Sequence, residues 1–318
     1  MRRMAHNSGM MTVFKSVLFS VFQKTCRLLW GKGLGKVPGV SAIHGYLFRL
    51  LLAERSILEV QGSKICMNPY GLPKSYVRTF QSYLISHNWE EQTGKIFKEV
   101  VKESNVVVDL GANIGFFTLL ASKLVGKTGR VYAFEPEPTN YTLLLKNIEL
   151  NRCANVIAVQ KAVSNEQGVF RLNVNSDDTG AHTLRSSVRK DEFKESIEVE
   201  CVTLDNYFCN REDRIDIIKI DVEGAEVRVF RGMQRVLKAN ENIKLFVEFY
   251  PDAIREMGDC PEEFARELFE GGFSVIAIDD YSRRRSSRRV SNVDDLMKFV
   301  SRKLTVNLFL WKNGASGF

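Results

Sequence analysis

No pair of the six cysteines, at positions 26, 66, 153, 201, 209 and 260, has CxxC spacing, and the four histidines are scattered at 6, 44, 88 and 182. That pattern excludes a zinc framework and a small disulfide scaffold, and fits buried, reduced thiols. Long apolar runs are missing from the N-terminal segment. Within residues 11–30 the longest uncharged run, Ser16 to Gln23, is far short of the ~20 residues a spanning helix needs. No small-residue cleavage site follows it, so a signal peptide is not expected. No internal repeat is visible, and residues 1–36 contain no acid.

What is present is a chain of 318 residues, 44% hydrophobic and 26% charged. This is the composition of a soluble globular protein, and it excludes a disordered, collagen-like or multi-span membrane chain. The net charge of +7 is unevenly spread. Residues 1–55 carry nine Lys or Arg and one acid, Glu54, whereas the remaining 36 basic and 37 acidic residues nearly cancel. A protein that grips nucleic acid across its core spreads positive charge along that core, so no nucleic-acid partner is expected.

Within residues 11–30, Phe14, Val17, Leu18, Val21, Phe22, Leu28 and Leu29 fall on one helical face. Ser16, Ser20, Gln23, Lys24 and Arg27 fall opposite. With seven basic side chains in residues 1–36, this stretch suits an interfacial helix drawn to anionic lipid. It equally suits a helix packed on the protein's own body, and a transit peptide has the same composition. The expected location is cytoplasmic, with peripheral contact at the inner membrane surface as the reading that the helix adds.

Three segments are expected: a basic helical part over 1–56, a small lead-in over 57–104 with a hairpin around Gln61-Gly62, and a main domain over 105–318. In the main domain, strand-like apolar runs at 105–110, 130–135, 156–161, 215–220, 243–249, 273–279 and 304–312 alternate with helix-like stretches at 115–125, 138–151, 224–239 and 261–270. Such alternation predicts an α/β fold with a mostly parallel sheet covered on both faces. The run 168–204 interrupts it with two alternating segments, Val169–Val174 and Ser196–Val202, read as an inserted antiparallel hairpin pair.

The first strand–turn–helix reads Asn105-Val-Val-Val-Asp109-Leu-Gly111-Ala-Asn113-Ile-Gly115-Phe-Phe-Thr118. In an open α/β sheet, ligands bind beyond the carboxyl ends of the strands, and glycines there let a ligand approach the backbone. Dinucleotides and S-adenosylmethionine both use such a site. GxGxxG is absent, and Asp109 at the strand's end would repel a pyrophosphate by several kcal/mol in order of magnitude. The same acid favours S-adenosylmethionine, which carries an ammonium and a sulfonium and no phosphate. The second strand runs into Phe134-Glu135-Pro136, placing Glu135 where an acid accepts from both ribose hydroxyls. Ile215-Asp-Ile-Ile-Lys219-Ile-Asp221 runs into Val222-Glu223-Gly224, and Glu248 ends Leu245-Phe-Val-Glu248. Asp221, Glu223 and Glu248 are thus expected at the rim of adjacent strands, able to orient a hydroxyl, take its proton or hold a divalent ion. Lys219, inside an apolar strand, is expected to reach an acid or the strand's open end.

The segments DLGANIGFFT, FEPEPTN, KAVSN, IKIDVEGAE and VEFYP together resemble the FkbM family of S-adenosylmethionine-dependent methyltransferases, over about residues 75–312. The resemblance implies the Rossmann-like class I methyltransferase fold, a mostly parallel seven-stranded sheet with an antiparallel last strand. It implies methyl transfer to oxygen, on a sugar hydroxyl, a glycan or lipid-linked glycan precursor, or a small secondary metabolite. By motif, Asp109, Gly111, Ala112, Asn113, Gly115 and Phe116 would hold the methionine part, and Glu135, Pro136 and Asn140 the ribose side. Ala162 and Val163, with Ser164, would lie near adenine, although Gln160, Lys161 and Ser164 offer no acid to read its amino group. Asp221, Glu223 and Glu248 would be the catalytic acids. Phe249-Tyr250 stands where the family often has a histidine, and no metal is expected. The run Arg283-Arg-Arg-Ser-Ser-Arg-Arg289 is either a solvated loop or a clamp on an anionic acceptor. The alternatives are an RNA or protein methyltransferase, and a non-catalytic binding protein that keeps the fold.

Overall fold

The computed structural model describes residues 57–60, 62–66, 90–174, 182–184, 195–211, 214–282, 285–301 and 303–312, together with Leu18, Val21 and Thr25. Contacts divide the chain into two units, Met1–Trp89 and Glu90–Phe318. In the first, Leu18, Val21 and Thr25 are helical and exposed. The rest of the 11–30 stretch, and the apolar stretch from Ser41 to Leu52, lie outside the described residues. No helix among the described residues is long and apolar enough to cross a membrane. The expected hairpin is present as β1 (Ile57–Val60) and β2 (Ser63–Cys66), paired antiparallel. It turns at Gly62, whose φ of 76° is open to a residue without Cβ.

The second unit begins with α1 (Glu91–Val100), then β3 (Val106–Leu110), α2 (Phe116–Val125), β4 (Arg130–Phe134), α3 (Pro138–Leu150) and β5 (Val156–Val159). A small three-stranded sheet follows, made of β6 (Ala162–Val163), β7 (Gly168–Val174) and β8 (Glu195–Val202). The chain continues through α4 (Leu204–Tyr207), β9 (Ile217–Ile220), α5 (Glu226–Arg231), α6 (Gln234–Ala239), β10 (Lys244–Phe249), α7 (Pro251–Glu256) and α8 (Pro261–Glu270). It closes with β11 (Phe273–Asp279), β12 (Ser286–Val290), α9 (Val293–Val300) and β13 (Val306–Lys312).

The large sheet has the order β12-β11-β13-β10-β9-β3-β4-β5. Strands β5, β4, β3, β9 and β10 pair parallel, and β13 runs antiparallel between β10 and β11. This is the seven-stranded methyltransferase sheet with its reversed last strand. An eighth strand, β12, adds to the edge by antiparallel pairing with β11. No apolar run marks β12, because only its Val290 is buried and Ser286, Ser287, Arg288 and Arg289 are exposed. Arginines on such a strand keep the sheet edge from pairing with another chain.

The unbroken apolar strands follow from burial on both faces. Along β3, Val107 joins Ile96, Phe97 and Val100 of α1 and Phe117 and Leu120 of α2 on one side. Its neighbour Val108 joins Ile218, Leu245, Val247, Phe264 and Leu296 on the other. Phe97 meets Phe117 edge-on and Phe246 at a tilt, both at 5.2 Å between ring centres. The helical stretch expected over 224–239 is two short helices. A Cβ on Gly232 would lie 2.2 Å from the Ser164 carbonyl oxygen, so the backbone itself packs there and the helix breaks.

Candidate active site

The ends of β3, β4, β9 and β10 bring the motif residues to one rim. After β3 the chain is drawn tightly between its neighbours. The amides of Gly111 and Ala112 both donate to the Phe134 carbonyl, and the Asp221 amide donates to the Leu110 carbonyl. Gly111 has φ +76°, and a Cβ there would sit 1.8 Å from the Asp221 carbonyl oxygen. Asn113 and Gly115 also have positive φ, 52° and 99°. Asparagine tolerates that region because its side chain bonds locally, and here Asn113 Oδ1 accepts from the Ile114 amide at 2.7 Å. Three left-handed residues in five give the compact loop that leads into α2. Asn147 of α3 fixes it from behind, donating to the Ile114 carbonyl at 2.8 Å.

Glu135 is buried at the tip of β4. Its Oε2 accepts from the Asn113 amide at 2.8 Å and its Oε1 from the Glu137 amide at 3.0 Å. With the Asn140 side chain as a third donor, the carboxylate keeps one acceptor site for a further donor. Burial pushes its carboxyl up to about 7, partly offset by these amides and by the Asn140 side chain. Pro138 opens α3 and Glu137 caps it, accepting from the Asn140 amide at 2.6 Å. Asn140 therefore stands behind Glu135.

Asp109 is buried and accepts from Thr118 Oγ1 at 2.6 Å. It lies opposite Lys219 in the β3–β9 ladder. Burial raises its carboxyl, and Lys219 and Thr118 hold it down in part. Lys219 finds the acid partner it needs. Its Nζ lies 2.6 Å from Asp221 Oδ2 and 4.6 Å from the centre of the Phe117 ring. Burial works against the ammonium, but the carboxylates of Asp221, Glu90 and Asp109 outweigh it and hold its pKa above the ordinary value.

Asp221, Glu223 and Glu248 do come together: one carboxylate oxygen from each lies within 4.8 Å of the other two. Glu223 has φ 54°, and its carbonyl accepts from Thr183 Oγ1 at 2.9 Å. The turn that holds it is formed by Glu226, whose Oε1 accepts from the Val222 and Gly224 amides. Glu248 is only 8% exposed. Its Oε1 accepts from Thr305 Oγ1 at 3.3 Å, and its Oε2 is buried without a partner. Burial, then the charges of Asp221, Glu223 and Glu226, hold its carboxyl well above the usual range.

The other expected contacts are distributed differently. Phe116 stands at the start of α2, edge-on to Phe117. Ala162 and Val163 are buried in β6, paired with Cys201 and Val202 of β8. Their side chains pack into hydrophobic clusters and present no polar group. Of the arginine run, Arg285 pairs with Glu91, Arg288 with Asp295, and Arg289 donates to Ser274 while lying over Trp311. Three of the five are thus engaged within the protein. Arg283 and Arg284 lie outside the described residues.

The sequence reading missed Glu90. It is buried with φ 44°, accepts from Tyr281 and Asn307, and its carboxyl is pushed up to about 7 by burial. The legible signal was its partner Asn307, a polar residue in the apolar run of β13. The acid itself lies in the lead-in over 57–104, where no site residue was expected.

Comparison with known proteins places this arrangement. The chain is 32% identical over 162 residues to the 31-O-demethyl-FK506 methyltransferase FkbM of Streptomyces tacrolimicus, covering 42% of this chain and 61% of that protein. It is 30% identical over 155 residues to methyltransferase sdnD of Sordaria araneosa, covering 40% and 60%. It is 26% identical over 159 residues to the hexuronic acid methyltransferase AglP of Haloferax volcanii, covering 47% and 59%. The matches span about three-fifths of these relatives' length. The family described as the methyltransferase FkbM domain matches residues 109–278, more than half of the chain, and the chain belongs to this family of S-adenosylmethionine-dependent methyltransferases.

Proposed function

We propose that the protein is an O-methyltransferase acting on a hydroxyl of a sugar, a glycan precursor or a small secondary metabolite. The observation that carries this reading is the convergence of Asp221, Glu223 and Glu248 beside the loop 111–115. The relatives are consistent with it: one is a hexuronic acid methyltransferase and another acts on a demethylated FK506.

The residues present fit the methyl donor. Glu135, already bonded by the Asn113 and Glu137 amides and the Asn140 side chain, keeps an acceptor site for a ribose hydroxyl. Asp109, Asp221 and Glu248 give the rim a negative field that suits a cationic ligand without phosphate. When bound, S-adenosylmethionine supplies an electrophilic methyl group on a sulfonium. The chain's own part is alignment. Loop 111–115 and Glu135 hold the nucleoside and amino-acid ends. Asp221, steadied by Lys219, and Glu248 face the acceptor. One of them takes the hydroxyl proton as the O–C bond forms, with Glu223 orienting the acceptor.

The test is a radiolabelled-methyl screen over glycan and lipid extracts of the host, with mass spectrometry of the labelled product. An O-methylated sugar or metabolite is expected. Label recovered only in RNA or protein would overturn the reading.

A further inference from the structure

We propose that Asp221, Glu223 and Glu248 form a site for one hard divalent cation, of the magnesium, manganese or calcium class, which also engages the acceptor hydroxyl. This deepens the proposed function and rests on it, because it takes the same three acids to face the acceptor. It departs from the expectation, drawn from the missing histidine, that no metal is used.

Two independent observations support it. The first is spacing. Oxygens bound at about 2.4 Å from one cation lie about 3.4 Å apart when adjacent and about 4.8 Å apart when opposite. The three carboxylates already offer oxygens within 4.8 Å of one another, so a cation could be shared with little movement. The second is an orphaned acceptor. Glu248 Oε2 is buried without a partner, on a side chain only 8% exposed. A buried acceptor left unpaired is costly, and native structures rarely keep one without an ion, a water or a role. Glu226 Oε2, on the helix that follows Glu223, is buried and unpartnered too.

The local charge balance points the same way. Glu248 feels the carboxylates of Asp221, Glu223, Glu226 and Glu90. The ammonium of Lys219 is committed to one oxygen of Asp221, which leaves that carboxylate a second oxygen. An all-oxygen donor set without Cys or His selects a hard cation rather than zinc or copper. Three protein ligands leave about three positions of an octahedron for water and the acceptor oxygen. There the cation would lower the proton affinity of the hydroxyl. The O–C bond then forms as the S–C bond breaks, and the proton passes to Asp221 or Glu248 as in the proposed function.

The experiment uses the full chain, stripped with chelator, and manganous ion as the probe, followed by the electron paramagnetic resonance of free Mn2+. Wild type is expected to bind one equivalent with a dissociation constant of about 0.1 mM or tighter, within the range of oxygen-ligand sites. Glu248→Gln and Glu223→Gln should each weaken binding at least about tenfold, the loss of one ligand. Glu241→Gln, an exposed acid elsewhere, should leave it unchanged. S-adenosylhomocysteine binding, read by calorimetry, reports that each variant is folded. If Glu248→Gln fails that check, the half-exposed Glu223→Gln decides alone. Wild type without saturable Mn2+ binding, or a decisive variant that binds Mn2+ like wild type, overturns the cation site. S-adenosylhomocysteine heat without Mn2+ binding sinks the cation alone, whereas loss of both sinks the methyltransferase site with it.

Discussion

Replacing Glu135 by glutamine should change how the stability of the cofactor-free protein depends on pH. In the folded chain this carboxyl is pushed up to about 7 from an ordinary 4.5, chiefly by burial. Between those values the folded state holds a proton that the unfolded chain has released. The stabilisation from holding it is complete below about 4.5 and is lost as pH rises through about 7, a total of about 3 kcal/mol. Glutamine cannot ionise, so it removes this slope. It also removes one of the two acceptors that serve the Asn113 and Glu137 amides, a pH-independent cost of about 1–3 kcal/mol. The variant should therefore be less stable than wild type near pH 5. By about pH 8 it should recover roughly 2–3 kcal/mol of that gap and equal or exceed wild type. Urea unfolding of both proteins across this range measures the difference directly, and contributions from the other buried acids cancel. Two curves that stay parallel would refute the reasoning. The same ionisation governs the ligand. If the charged form accepts from a ribose hydroxyl, wild-type affinity for S-adenosylhomocysteine should fall about tenfold from pH 8 to pH 6, and the variant should lose that dependence.

Gly111→Ala should abolish cofactor binding and cost several kcal/mol in urea unfolding, because its methyl would meet the Asp221 carbonyl at 1.8 Å. Gly258→Ala, at φ +86° with nothing within 4 Å, should cost only the backbone strain of about 1–2 kcal/mol. Lys219→Met strands the buried acids Asp109 and Glu90 and leaves Asp221 without its ammonium. It should destabilise by about 3–5 kcal/mol at neutral pH, and acidification that protonates those acids should narrow the gap. Asp221→Asn should lower turnover at least about tenfold, as loss of a group acting on the proton. Calorimetry should show S-adenosylhomocysteine binding within about threefold of wild type. Full turnover on the identified acceptor would remove Asp221 from the chemistry.

The sheet was legible because its strands are buried on both faces. Val106-Val-Val and Ile217-Ile have no polar alternation to confuse them with surface hairpins. The rim acids were legible for a related reason: a carboxylate that closes an apolar run has few positions to occupy except the strand's open end. Three features were hidden. Strand β12 is held by main-chain bonds to β11 and carries Ser286, Ser287, Arg288 and Arg289 outward, so side-chain pattern says nothing of it. The break at Gly232 depends on Ser164, far away in sequence. Glu90 owes its place to a left-handed backbone and to partners in β13 and beyond β11, none of which lies nearby in the chain.

The start of α1 has an unusual closure. The amides of Gln92 and Thr93, and the Thr93 hydroxyl, all donate to Asp280, while Asn307 donates to Glu90. The helix that opens this unit is therefore capped from a point nearly two hundred residues downstream. During synthesis its first turn must wait, with donors unanswered, until the end of β11 has emerged and docked. A chain cut short before Asp280 would retain the glycine loop and Glu135 yet lack this clasp, so the N-terminal half of the fold is completed only by the arrival of its C-terminal half.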